Sequence, residues 1–135
     1  MKIEHTSSPE NKNIDFLTHK INEETPDFGA AHPFAFFMRD DQNEIIAGCN
    51  GSVIYGNIYT DQLWVHPDCR DKGYGRKLME NVHDYGREIG CAMATVVTMC
   101  FQNAHVFYEN LGYRCDFERS GYVNGSRCLF LRKVL

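Results

Sequence analysis

Apolar residues open the chain at helical spacing: Ile14, Leu17 and Ile21, with Phe16 beside them. They predict a helix over residues 10–24, which Thr25-Pro26 ends because a residue preceding proline is pushed out of the helical region. From Phe34 the pattern changes to compact apolar runs separated by turn residues. Residues 34–39, 44–55 and 58–65 read as three strands, with turns at Asp40-Asp41-Gln42-Asn43 and at Gly56-Asn57. Gly48 and Gly51 interrupt the second strand and mark a bulge or a close backbone approach. Three strands joined by tight turns make an antiparallel meander.

Pro67 stops the third strand by withholding a backbone N–H. After Gly75, helical spacing returns in Leu78, Met79, Val82, Tyr85 and Ile89, and Gly90-Cys91 closes that helix. Residues 92–99, rich in Thr and Val, read as a strand. A strand–helix–strand order predicts a right-handed crossover that lays 92–99 parallel to 58–65. Residues 103–110 form a short helix ended by Leu111-Gly112, and 113–119 and 126–133 are the last two strands. The expected class is α/β (α+β): one mixed sheet, antiparallel in its first half, with helices on both faces. A length of 135 residues suits one core, hence a single domain over 1–135.

An apolar fraction of 43% and a charged fraction of 24% fit an ordinary globular chain. No apolar run approaches a membrane span, and the N-terminus lacks a signal peptide's basic and hydrophobic sections, so a cytoplasmic protein without a membrane partner is expected. A net charge of -4 argues against a nucleic-acid partner and mildly favours a cationic substrate. The six cysteines are scattered, with no C-x-x-C, and read as reduced thiols. Six histidines show no metal spacing, and no metal is expected.

Against this acidic background, Arg70, Lys72, Arg76 and Lys77 form a basic island opposed only by Asp71. It falls where a strand, a turn bearing Gly73 and Gly75, and a helix start follow one another. Such a turn aims unpaired N–H groups and the positive helix end at one point, which makes an anion site, most often for phosphate. The plainer alternative is a solvated basic turn. Gly73-x-Gly75 is not half a Rossmann fingerprint, because Leu78 stands where a third glycine is needed. A second segment, Phe101 to Tyr113, follows the parallel strand. In it Ala104, Phe107 and Tyr108 share a helix face, Asn103 is placed to cap the helix, and Tyr108 reads equally as a packed aromatic.

Together the two segments resemble the GNAT N-acetyltransferases, which move an acyl group from acetyl-coenzyme A to an amine. The first carries Val65-His66-Pro67 and Arg70-Asp71-Lys72-Gly73-Tyr74-Gly75; the second carries Asn103-Ala104, Tyr108, Gly112 and Tyr113. The resemblance implies that main-chain N–H groups from Lys72 through Lys77, with Gly73, Tyr74, Gly75 and Arg76 among them, cradle the pyrophosphate of acetyl-CoA, and that Arg70 also binds the cofactor. The strand edge at Leu63, Trp64 and Val65 would hold the pantetheine arm where two parallel strands splay apart, and the Val65 N–H would polarise the thioester carbonyl. Asn103 would hold pantetheine, and Tyr108, at a tyrosine's ordinary pKa of about 10, would protonate the leaving thiolate. Asp61, on a strand face with Leu63 and Val65 by simple alternation, is the candidate base through a water, with His66, Cys69 and Cys100 behind it. The implied partners are acetyl-CoA and an amine acceptor, and homodimers are common in this superfamily. A second reading keeps the same fold as a non-catalytic acyl-CoA-binding module. The identity of the amine is open.

Overall fold

The N-terminal meander closes on a two-residue turn. Tyr55 (φ 49°) and Gly56 (φ 86°) both adopt left-handed backbone, and Ile54 pairs with Asn57 across them. This twist matches that of the flanking strands, so the turn centres on Tyr55-Gly56, one residue earlier than Gly56-Asn57. The computed structural model describes residues 1–135. Its strands are β1 (His32–Arg39), β2 (Ile45–Ile54), β3 (Asn57–Val65), β4 (Met93–Met99), β5 (Arg114–Arg119) and β6 (Cys128–Val134). They form one sheet in the order β1-β2-β3-β4-β6-β5. Only the β3–β4 pair is parallel; every other pairing is antiparallel.

The crossover between the parallel strands is α2 (Tyr74–Glu88), whose buried residues are Leu78, Met79, Val82, His83 and Gly86. Gly86 lets the helix sit close to the sheet: a Cβ there would lie 2.9 Å from Ile58 Cγ2 and 3.0 Å from a Leu135 methyl. The short α3 (Ala104–Asn110) adds Tyr108 to the same hydrophobic core, in which Ile58, Met79, Val82 and Ala94 are fully buried. α1 (Asn11–Glu24) is different and carries no buried residue. It is tied down by the Asn22 amide, which donates to Ala31 O at 2.9 Å and accepts from Ala31 N at 2.8 Å.

Two departures from regular pairing shape the centre of the sheet. Asn50 pairs with Gln62 and Gly51 with Thr60, so Asp61 is an extra residue in β3, a β-bulge. Ile58 and Thr60 pair with Val53 and Gly51, while Leu63 and Val65 pair with Cys49 and Ala47; all four therefore face the core. The expectation that Asp61 shares a face with Leu63 and Val65 is thus overturned. The extra residue breaks the alternation, and Asp61 stands beside Tyr59, whose hydroxyl donates to its Oδ1 at 3.4 Å. The parallel ladder runs from Asn57↔Met93 only to Thr60↔Val96, and beyond that pair β3 and β4 part.

Candidate functional site

The parting of β3 and β4 opens a cleft of about 810 Å³. One wall is Asp61 and Leu63–Val65 from β3, and the other is Val97 and Thr98 from β4. Gln102, Ala104, Phe107 and Tyr108 line it further along the chain, as do Arg70 and Gly73 from the turn before α2 and Tyr74, Gly75 and Arg76 from the helix's first turn.

The β3 wall presents backbone as well as side chains. His66 N donates to Ile46 O at 2.8 Å, so residue 66 points toward β2. Direction alternates along an antiparallel strand, and the N–H groups of Leu63 and Val65 therefore point away from β2 into the opening. No β4 partner meets them, since pairing has ended at Thr60. The Val65 carbonyl on this edge accepts Arg70 Nε at 2.9 Å, which folds the Arg70 stem back along the strand end.

At the far end, Gly73 takes the left-handed position before α2 (φ 82°), a conformation that favours glycine. Lys77 N donates to Gly73 O at 3.0 Å, the bond that starts the helix. The N–H groups of residues 73–76 precede that bond and have no intrahelical acceptor. The Lys77 N–H is consumed by it and cannot join a phosphate cradle, which corrects the range read from the sequence. A Cβ on Gly75 would meet Phe107 at 3.4 Å and Val65 Cγ2 at 3.8 Å, ordinary contacts, so the protein itself leaves room there.

Tyr108 is buried (7% exposed), with edge-to-face contacts to Phe107 at 5.1 Å and Tyr113 at 5.4 Å between ring centres. The Tyr113 hydroxyl lies 2.8 Å from His83 Nε2, which fixes the ring behind Tyr108. Burial pushes the Tyr108 pKa up to about 12, with Cys49 and Tyr59 adding to the shift. Tyr108 is therefore a weaker acid than the ordinary tyrosine expected from the sequence, and it stays protonated throughout the neutral range.

Lys72, Lys77 and Asn103 do not line the cleft. Asn103 is left-handed (φ 57°, ψ 5°) and makes no side-chain capping bond, so the expected helix cap is absent; an N-cap needs extended backbone. Gln102 does related work one residue earlier, its Oε1 accepting from Met99 N at 2.9 Å and Thr98 Oγ1 at 3.2 Å. Of the other base candidates, His66 Nδ1 accepts from Asp68 N at 3.1 Å, and Cys100 Sγ accepts from Arg127 N at 3.2 Å. Cys69 lines the cleft wall near Arg70. Val97, Thr98 and Gln102 went unforeseen, since nothing in a Thr/Val-rich strand marks where its pairing will stop.

Comparison with known proteins agrees with this geometry. The profile of the Acetyltransferase (GNAT) family matches residues 2–113. A blasticidin-S acetyltransferase from Streptomyces morookaense is 33% identical over 103 residues, covering 76% of this chain and 75% of that protein. The crystal structure of a putative acetyltransferase from Agrobacterium tumefaciens superposes with a TM-score of 0.80 at 22% identity, covering 100% of both chains. A putative streptothricin acetyltransferase from Bacillus anthracis, solved in complex with acetyl coenzyme A, gives 0.69 at 15% identity, covering 76% of this chain and 62% of that one. The chain belongs to the GNAT acetyltransferase family and is an acyltransferase that takes its acetyl group from acetyl-CoA.

Proposed function

We propose that this protein transfers the acetyl group directly to a primary amine of a small molecule. The observation that carries the reading is the opening of the β3–β4 ladder just beyond Thr60↔Val96, with unpaired Leu63 and Val65 N–H groups on one side and Tyr108 among the lining residues. Edge N–H groups without a strand partner suit an extended amide-bearing arm, which pairs with Leu63 as an added strand would and leaves the Val65 N–H to the thioester. The N–H groups of residues 73–76 and the positive end of α2 suit its pyrophosphate.

The acetyl thioester supplies a carbonyl carbon that an amine attacks while the carbon–sulfur bond breaks. Around that event the chain's own groups do three things. The Val65 N–H donates to the carbonyl oxygen as negative charge builds there; one such donor typically contributes about 3 kcal/mol. Tyr108 donates its hydroxyl to the departing sulfur. Burial raises its pKa to about 12, so the hydroxyl holds its proton at neutral pH and gives it up less readily than an ordinary tyrosine. Tyr108 therefore acts by hydrogen bonding to the developing thiolate, and the proton the sulfur finally holds comes from the amine. Asp61, on the β3 wall at the end where the parallel pairing stops, receives the amine.

The test is a set of amines incubated with protein and acetyl-CoA, reading free-thiol release and the mass of the product. Blasticidin S belongs in that set, because the 33%-identical relative carries its name, alongside spermidine, an aminoglycoside, free amino acids and a short peptide. Acetylation of a nitrogen on one small amine is the expected result. Thiol release with no acetylated amine, or acetylation only of a hydroxyl or of the peptide, overturns the proposal.

A further inference from the structure

The bulge that moves Asp61 off the core face also gives it a partner. Tyr59 pairs with Ser52, on the face opposite Ile58 and Thr60, and its hydroxyl reaches Asp61 Oδ1 at 3.4 Å. Without the extra residue, one face would hold Tyr59, Asp61, Leu63 and Val65 together. With it, Leu63 and Val65 turn to the core while Tyr59 and Asp61 stay behind. Thr60, between them, is 3% exposed and makes the last parallel pair. The tyrosine–carboxylate pair is therefore held at the point where the strands part, with Asp61 lining the cleft.

The chemistry needs two approaches to one carbon. In the proposed function the edge N–H groups of Leu63 and Val65 and the turn before α2 hold the acetyl donor. The amine has to come from the remaining end, where Tyr59 and Asp61 stand. We propose that Tyr59 is a positioning residue: its hydroxyl holds the Asp61 carboxylate at the opening, and the pair selects an acceptor that arrives as a compact ammonium ion. This deepens the amine-acetylation reading and rests on it. The ammonium gives one proton to Asp61, which passes it to solvent. The freed nitrogen lone pair forms the bond to the acetyl carbon, the carbon–sulfur electron pair goes to sulfur, and a second amine proton ends there. One acetylated amine, one thiol and one released proton result, and no further reactant is needed. The Tyr59 hydroxyl is shifted upward by burial first, then by the Asp61 charge and by its bond to Asp61, which agrees with the pairing.

Two measurements test this, and they fail separately. The first is a double-mutant cycle on kcat/KM for the fastest amine of the set, using Tyr59→Phe, Asp61→Asn and the pair. Tyr59→Phe should lower kcat/KM for the amine about tenfold, as loss of one hydrogen bond to a charged group does, and leave acetyl-CoA affinity unchanged. In the Asp61→Asn background it should do nothing more, because Tyr59 acts through Asp61. Losses that multiply, or an equal loss of acetyl-CoA affinity, overturn the inference. The second needs no acceptor: NMR titration of the Tyr59 Cζ signal, whose midpoint should fall toward the ordinary tyrosine value in Asp61→Asn. An unmoved midpoint overturns the pairing whatever the enzyme acetylates. A wild-type protein that acetylates no amine, yet shows the fall, overturns the proposed function and the acceptor role but leaves the pair itself standing.

Discussion

The seam between β3 and β4 has two halves that differ in almost every physical respect. In the closed half, residues 57–60 pair with 93–96, and Ile58, Ala94 and Val96 are at most 1% exposed. In the open half no β3–β4 pair forms, Leu63 and Val65 are half-buried, and Trp64 is 47% exposed. Neither strand loses its place by parting. β3 stays paired to β2 as far as Val65, and β4 stays paired to β6 from Met93 to Met99. Each is held along its outer edge, so the inner edges are free to part and leave backbone groups for a ligand, at the cost of leaving them to water otherwise. The closed half is where stability resides, and the open half is where chemistry is proposed.

Changes in the closed half should lower stability and leave chemistry alone. Ile58 is fully buried against Gly86. Ile58→Ala removes three methyl(ene) groups from a site that a helix covers, and should cost about 3–4 kcal/mol. Urea unfolding should record that loss, while kcat of the folded protein stays within about twofold of wild type. A loss below about 1 kcal/mol would mean the closed half is not the anchor of the sheet.

His83 gives the closed half a pH signature. Burial, then the charges of Lys133 and Arg87, lower its pKa to about 4 from 6.5. A lowered folded-state pKa means the unfolded chain binds the extra proton first. The contribution of neutral His83 is therefore fully present above about pH 6.5 and is lost as pH falls through 4, for a total of about 3 kcal/mol. His83→Gln keeps a polar group beside the Tyr113 hydroxyl but cannot titrate. Unfolding free energies measured between pH 7 and 4 should fall less steeply in that variant; parallel curves would contradict the burial argument.

What the sequence disclosed follows the same division. Val65-His66-Pro67 and the glycines at 73 and 75 announce the strand end and the helix start, because proline and glycine act on their own backbone. The buried stripe Leu78, Met79 and Val82 was equally legible, since periodicity reports a face. The bulge was not. Asp61 looks like any polar residue in an alternating strand, and only its pairing with β2 reveals that it is supernumerary. The end of the parallel ladder at Thr60 is likewise a property of two strands and is written in neither. Tyr108 could be named from its motif, yet its upward pKa shift depends on its burial in the fold, with Cys49 and Tyr59 adding to it. The apolar spacing of Ile14, Leu17 and Ile21 predicted a helix correctly, but in the structure that face of α1 is exposed. A stripe says that a face is suited to burial and not that it is buried.

The open half should behave in the opposite way. Tyr108→Phe removes one oxygen and keeps the ring contacts with Phe107 and Tyr113. Turnover should fall by roughly 100-fold, in the range for loss of a positioned proton or hydrogen-bond donor, with acetyl-CoA affinity and unfolding free energy nearly unchanged. Calorimetry and steady-state kinetics on the same preparation separate these. Unchanged kcat would return Tyr108 to the role of a packed aromatic. A large loss of stability would mean the hydroxyl belongs to the closed half's network with Tyr113 and His83.

The smallest effect is expected at the rim of the cleft, and its sign pattern is the sharpest. Arg76 sits in the first turn of α2, lines the cleft, lies 3.6 Å from Glu80 and donates to Asn110 O at 3.4 Å. A cation in the first turn opposes the helix dipole, so Arg76→Glu gains a few tenths of a kcal/mol there. It also loses the exposed pair with Glu80 and sets two acids four residues apart, which costs a similar amount. Stability should therefore move by less than about 0.5 kcal/mol. Acetyl-CoA affinity should weaken about tenfold at low salt, because a charge beside the proposed pyrophosphate site has been reversed in an exposed setting. The Debye length falls from about 10 Å at 0.1 M to about 3 Å at 1 M salt, so most of that loss should vanish at the higher concentration. Lys12→Glu on the exposed α1, which does not line the cleft, serves as the control and should change affinity little at either salt. A salt-independent loss in Arg76→Glu would mean that the side chain acts by shape or by its bond to Asn110, and equal losses in both variants would mean that the affinity responds to net charge and not to the start of α2.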